Sequence, residues 1–201
     1  MKEDIYVLAH EMKNPLCVVK GYLEMLNKNN LEKYKKILKE EINTSIDILD
    51  NYLEYNKLSL NIEEIDINMF LSDIKNSMYD YLFKKGVKLK INYIDDEIYL
   101  KVDYNKLKNV FYNIIKNSVE AQSKNIVINY KIFYNELKIT IKDDGLLCNS
   151  IDKIGNNFSD KVLGNGIGMT ISKKIIMMHG GKIKFQNEKN GVNVIITLTL
   201  S

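Results

Sequence analysis

Steps of three and four separate the apolar and ring residues at the start of this chain: Ile5, Leu8, Met12, Pro15, Val19, Tyr22 and Leu26. That heptad rhythm keeps one stripe on one side of a helix. Residues from about Glu3 to Leu26 are therefore predicted to bury a face against other helices, with Leu16 and Leu23 widening it. With Ile5, Met12, Val19 and Leu26 innermost, His10 falls on the far side, facing solvent. Glu11 sits beside it in sequence, and Asn14 lies one turn on along the same face. An exposed imidazole with an acidic neighbour suits a nucleophile that must meet large partners; taken alone, the same pair is an ordinary solvated one. Pro15, the only proline, lies mid-helix, where it removes a hydrogen bond and tends to kink the axis.

The polar stretch Asn27-Lys28-Asn29-Asn30 reads as a short helix–helix connection. A second helix follows, with Leu31, Leu38, Ile42, Ile46, Leu49 and Leu53 on one stripe. Two such helices make an antiparallel hairpin whose core is too small to stand alone. Two hairpins pairing as a four-helix bundle would make the protein a homodimer.

From about Ser59 the pattern changes. Ile62 to Ile65 fits a short strand, Asn68 can cap a helix carrying Met69, Leu71, Ile74, Met78 and Leu82, and Gly86 can stop it. Val87 to Ile91 alternates as a strand, Asp95-Asp96 turns, and Ile98 to Val102 returns. Asp103 then caps a helix with the apolar face Leu107, Val110, Phe111, Ile114 and Ile115. Alternating runs follow at Ile126 to Phe133 and Leu137 to Ile141, then a loop rich in Gly, Asn and Asp over 144–165. A helix to about Met178 and strands at Lys182 to Gln186 and Val192 to Leu200 close the chain. This mixture, without strict βαβ alternation, predicts an α+β fold: an α/β sandwich whose sheet is covered by helices on one face. Two domains are expected, 1–58 and 59–201.

Composition narrows the function. Hydrophobic content of 45% and charged content of 27% suit a globular domain. All 29 basic residues are lysines, so phosphate contacts must come from lysine as a point charge or from backbone N–H groups. The net charge of +3 is too small, and too evenly spread along the chain, to argue for nucleic acid or an anionic membrane. Cys17 and Cys148 have neither disulfide nor metal spacing, and no apolar run is long enough to span a bilayer. A cytoplasmic protein without a membrane segment is expected.

Three stretches carry chemistry. In Asn113-Ile114-Ile115-Lys116-Asn117-Ser118, the two asparagines are one turn apart, on the face away from the apolar stripe. Amide oxygens there can meet a hard cation such as Mg²⁺, although Asn105 and Asn109 continue the same ladder without any task. Ile141-Lys142-Asp143-Asp144-Gly145 ends a strand in acid, acid, glycine. A carboxylate fixed there can accept a hydrogen bond from an adenine amino group, and an ordinary turn is the plainer reading. Gly164-Asn165-Gly166-Ile167-Gly168-Met169 opens a helix, where glycines and backbone N–H groups favour phosphate.

Together and in this order, the motifs resemble the catalytic core of a sensor histidine kinase of two-component signalling, with its GHKL-type (Bergerat) ATP-binding fold. His10-Glu11-Met12-Lys13-Asn14-Pro15-Leu16 resembles the phosphoacceptor box and Asn113 to Ala121 the N box. Asp143-Asp144-Gly145 resembles the first glycine box, Phe158-Ser159-Asp160-Lys161 the phenylalanine box, and Gly164 to Met169 the second glycine box. His179-Gly180-Gly181 also fits the family, with His179 in a structural role.

The resemblance implies roles. His10 attacks the γ-phosphate of ATP, helped by a hydrogen bond from its ring to Glu11. Asn117 holds Mg²⁺ with support from Asn113, and Asp143 reads adenine. Lys161, with Lys116, neutralises phosphate charge, while Gly145, Gly164, Gly166 and Gly168 shape the nucleotide loops. Related ATPases commonly carry a water-activating Glu at the position of Asn113, and an amide favours transfer to His10 over hydrolysis. The phosphoryl group then passes to an aspartate of a response-regulator receiver domain. Asn14 matches the position where some members orient water for a phosphatase activity. Two departures stand out. Leu147 occupies the place of the family's second glycine, which leaves open a phosphotransfer or scaffold protein with a weakened ATP site. Only nine residues precede His10, which fits either a piece of a larger kinase or a small kinase regulated by separate sensory proteins, similar to soluble sporulation-type kinases.

Overall fold

The computed structural model describes residues 2–56, 59–148, 151 and 167–200. Helices α1 (Lys2–Glu24) and α2 (Leu31–Asn56) form the hairpin. The turn between them is held by asparagine side chains. Asn30 accepts from the Asn27 N–H at 2.8 Å and donates to the Met25 carbonyl at 2.9 Å, and Asn27 accepts from the Asn29 N–H. Tyr22 and Tyr34 meet edge-on across it. Of the stripe predicted on α1, Pro15 is buried and Leu8, Met12, Val19 and Tyr22 are half-buried, whereas Leu16 and Leu23, expected to widen it, are 47% and 53% exposed.

Most of the stripe expected on α2 is not the side that is buried within the chain. Ser45 and Ile48 are buried, whereas Leu31, Ile42, Ile46, Leu49 and Leu53 are 37–50% exposed. The two sets differ by one position, about 100° around a helix of 3.6 residues per turn. The expected stripe is therefore a second apolar face, left open by a single hairpin.

Helix α3 (Ile67–Lys85) begins at Asp66, not Asn68. Asp66 accepts from the Met69 N–H at 2.7 Å. Asn68 instead donates to the carbonyls of Ile94 and Asp96, tying the connection after β2 to the start of the helix. Gly86, at φ +67°, ends α3 in the left-handed conformation that glycine adopts without strain.

Strand pairing departs from the expected return at Ile98. Strand β3 (Tyr99–Val102) pairs antiparallel with β1 (Glu63–Asp66) in a separate two-stranded sheet. Strand β2 (Lys88–Asn92) pairs in parallel with β4 (Asn125–Phe133), because β3 and α4 (Tyr104–Glu120) supply the crossover that parallel neighbours need. With β5 (Glu136–Asp143), β6 (Lys182–Asn187) and β7 (Val192–Thr199), the main sheet runs β2-β4-β5-β7-β6.

Helices α3, α4 and α5 (Ile167–Met178) cover one face of this sheet. Leu107, Val110, Phe111, Ile114 and Ile115 of α4 are buried as predicted, against alternate residues such as Ile126, Ile128, Ile139 and Ile196. Each contributes about 2 kcal/mol of transfer free energy. Helix α2 packs on α5, and Leu8, Met12 and Ile48 of the hairpin join the same apolar cluster. His179 ties the end of α5 to the start of α4. Its Nδ1–H donates to the Ile175 carbonyl at 2.7 Å, and its Nε2 accepts from the Asp103 N–H at 2.8 Å.

Candidate functional site

The end of β5, the loop after it, the second half of α4 and the start of α5 converge at one pole of the sandwich. Asp143 is the best-held side chain there. Its Oδ2 accepts from Ser118 Oγ at 2.9 Å, and its Oδ1 accepts from the N–H groups of Gly145 at 2.9 Å and Val192 at 3.2 Å. These bonds orient a half-buried carboxylate that still has lone pairs for an incoming amino group. Asp144 turns the other way. Its carboxylate accepts from the Asn125 side chain at 2.7 Å and from the N–H groups of Asn125 and Lys124, which hold its pKa below the ordinary carboxylate value.

Two glycines let the backbone close around Asp143. A Cβ on Gly145 would lie 2.5 Å from Ser123 Oγ and 2.6 Å from the Ala121 carbonyl oxygen, so only glycine lets the loop lie on the end of α4. Gly191, at φ +81°, brings its Cα so close to the Asp143 carbonyl that a side chain would overlap it. Beyond Gly145, the Leu146 N–H donates to the Ala121 carbonyl, and Asn187 clasps the Cys148 backbone, accepting from its N–H and donating to its carbonyl. Leu147, in the place of the family's second glycine, is 49% exposed.

Asn113 and Asn117 are half-buried rather than turned to solvent. The Asn113 amide donates to the Gly168 carbonyl at 3.3 Å, with Ser172 Oγ at 3.4 Å, so it stitches α4 to the first turn of α5. Spending Nδ2 on α5 keeps its Oδ1 as an acceptor. Gly168 packs against the same side chain, with a Cβ position 3.4 Å from the Asn113 amide carbon. Lys116 is exposed one residue before Asn117. Asp143, Gly145, Asn113, Lys116, Asn117 and Gly168 thus lie on elements that meet. Lys161, Gly164, Gly166 and the phenylalanine-box residues Phe158 to Lys161 lie outside the described residues. His10 and Glu11 lie in α1, with side chains outside the description, and Asn14 is exposed one turn on.

Sequence reasoning did not single out Ser118, Gly191 or Asn187. Ser118 carried a signal: it continues the spacing of Leu107, Phe111 and Ile114, a polar residue on a buried stripe. Gly191 and Asn187 had none, because both act across strands distant in sequence. Among the described residues no group of three or more His, Cys, Asp or Glu could hold a metal ion.

Two family models match the chain. Residues 3–61 match the His Kinase A (phospho-acceptor) domain, and residues 102–201 match the histidine kinase-, DNA gyrase B-, and HSP90-like ATPase. The chain is a histidine kinase catalytic core. Sporulation kinase B of Bacillus subtilis is 31% identical over 95% of this chain and 48% of its own length. The sensor protein kinase WalK of Staphylococcus aureus is 27% identical over 98% of this chain and 53% of its own length. The chain therefore spans about half the length of these curated relatives. Among solved structures, histidine kinase ThkA in its complex with response regulator protein TrrA superposes with a TM-score of 0.81, at 23% identity, over 99% of this chain and 61% of that one. Histidine kinase AdeS of Acinetobacter baumannii superposes with a TM-score of 0.78, at 17% identity, over 96% of this chain and 98% of that one. At such identities the likeness is one of fold, shared by the hairpin and the sandwich of this histidine kinase core.

Proposed function

We propose that this histidine kinase core is an ATP-dependent autokinase that phosphorylates His10 and passes the phosphoryl group to an aspartate of a response-regulator receiver domain. The observation that carries the reading is the Asp143 carboxylate, oriented by Ser118, Gly145 and Val192 in a pole closed by two obligatory glycines. A fixed acceptor of that kind suits an adenine amino group. One ring nitrogen of His10 attacks the γ-phosphorus as the bond to the β–γ bridging oxygen breaks, and ADP leaves. Glu11 would hydrogen bond the other ring nitrogen, leaving the attacking one its lone pair.

Asn117, with Asn113 Oδ1 beside it, would hold Mg²⁺. That ion would supply neutralisation of phosphate charge, a task shared with Lys116 and Lys161. Asn113 cannot take a proton from water, which favours transfer to His10 over hydrolysis. Residues 1–58 serve as the dimerisation and phosphoacceptor domain and 59–201 as the ATP-binding domain of a cytoplasmic homodimer. The exposed face of α2 supports that dimer. The solved ThkA–TrrA complex supports a receiver partner. Separate sensory proteins would provide its input. Asn14, exposed on α1, would orient water for a second, phosphatase activity.

The test is incubation with γ-labelled ATP and Mg²⁺, comparing wild type with His10→Ala and Asn117→Ala. Acid-labile, alkali-stable label on wild type alone is expected. A folded, dimeric wild type that takes no label, yet is loaded at His10 by a phosphorylated receiver, overturns the autokinase in favour of a phosphotransfer protein, in which Leu147 has weakened the ATP site.

A further inference from the structure

The pleat turns alternate residues of the main sheet away from the helices, and among the described residues no helix or strand covers this outward face. Strand β2 contributes Lys88 and Lys90, β5 contributes Lys138 and Lys142, and β6 contributes Lys182 and Lys184. Lys131 of β4 makes seven. Among the described residues of the main sheet, the only acid at an outward strand position is Glu136, at the end of β5. Beyond the strands, Glu188 pairs with Lys142 at 2.9 Å. Lysines scattered between residues 88 and 184 are thus gathered on one side of the molecule.

The register concentrates them further. Lys131 stands directly opposite Lys138, and Thr197 separates Lys138 from Lys182 in the same cross-strand row. Like charges placed opposite one another cost stability. One outward position beyond Lys131 is Phe133, 59% exposed, and next to it Tyr134, 90% exposed. Their rings meet edge-on at 4.7 Å on the tip of the β4–β5 hairpin. Tyr134 adopts φ +55°, a left-handed conformation that glycine or asparagine takes more readily.

Chemistry selects the occupant. Protein interfaces are depleted in lysine and have an apolar centre, whereas the apolar residues in this field, Val127 and Ile195, are half-buried between polar neighbours. Single-stranded nucleic acid is bound by rings interleaved with cations, and here both rings stand at one rim. A broad polyanionic surface with an apolar interior matches both parts: lysines for lipid phosphates, and an aromatic tip for the interfacial layer. We propose that the open sheet face, with its Phe133–Tyr134 tip, docks onto an anionic lipid bilayer. Asp143 lies at the other end of β5, roughly 24 Å from Glu136 at the rise of a strand, so docking leaves the nucleotide pole open. The inference does not depend on the kinase reading, because none of these residues belongs to the candidate site.

The test is co-sedimentation of the full chain with vesicles of phosphatidylcholine alone or mixed with phosphatidylglycerol. Binding to the mixed vesicles only, weakening as salt shortens the screening length, is expected. A Lys131→Gln, Lys138→Gln, Lys182→Gln variant should lose affinity by about a hundredfold, at about fivefold per lysine near the surface. Phe133→Ser with Tyr134→Asn should weaken it by at least tenfold. A control variant, Lys28→Gln, Lys33→Gln, Lys39→Gln, changes net charge equally on the hairpin and should bind as wild type does. Three results would overturn the proposal: equal binding to neutral vesicles, equal loss in the control, or retention by a single-stranded oligonucleotide while the mixed vesicles are ignored.

Discussion

Asp103 shows how much one side chain can organise. Its Oδ1 accepts from the Lys106 N–H at 2.9 Å, capping α4, and its Oδ2 accepts from the Asn61 N–H at 2.8 Å, anchoring the segment before β1. Its own N–H donates to His179. Burial pushes its pKa up, but the backbone N–H bonds from Asn61 and Lys106 outweigh that and hold it below its ordinary 3.8. A carboxylate with a depressed folded pKa stabilises above its ordinary pKa, and that contribution is lost as pH falls through the folded value. Asp103→Ala should therefore cost about 2 kcal/mol at pH 7 in urea unfolding. The difference from wild type should shrink below about pH 4. The cap itself was legible, since an aspartate precedes an apolar run of helical period. Its bonds to Asn61 and His179 were not, because those partners lie 42 and 76 residues away.

Among the elements, period was readable and pairing was not. The alternation at Ile98 to Val102 announced a strand, yet its neighbour is β1 rather than β2. The asparagine ladder of α4 looked solvent-facing until α5 was laid against it, when Asn113 became a link between the two helices. The β4–β5 hairpin carries the cross-strand pair Lys131 and Lys138. Lys138→Glu turns that repulsion into attraction and should raise stability by roughly 0.5 kcal/mol, read as a higher urea midpoint with an unchanged slope. The same change should weaken vesicle binding, separating what the hairpin costs from what it does.

On the scale of the whole molecule, the hairpin presents two apolar faces and uses one within the chain. Leu8, Met12 and Ile48 turn toward the sandwich core, while Ile42, Ile46, Leu49 and Leu53 remain exposed. Ile46→Glu with Leu49→Glu should convert a dimer to a folded monomer in sedimentation velocity, since a second hairpin cannot bury two carboxylates. Dimeric sedimentation of that variant would place the interface elsewhere. By itself, the sequence determined the helices and strands through their apolar periods, the caps through short-range donors, and the family through motifs that are each contiguous. Only the tertiary structure decided which apolar stripe of α2 faces inward, which strands are neighbours, and what orients Asp143. It also drew scattered lysines onto one face, although their spread along the chain argued against an anionic surface. The physical reason is common to all four. Period, capping and motifs act between residues a few positions apart, whereas register and burial are set by chain segments that meet only when the sheet closes over its helices.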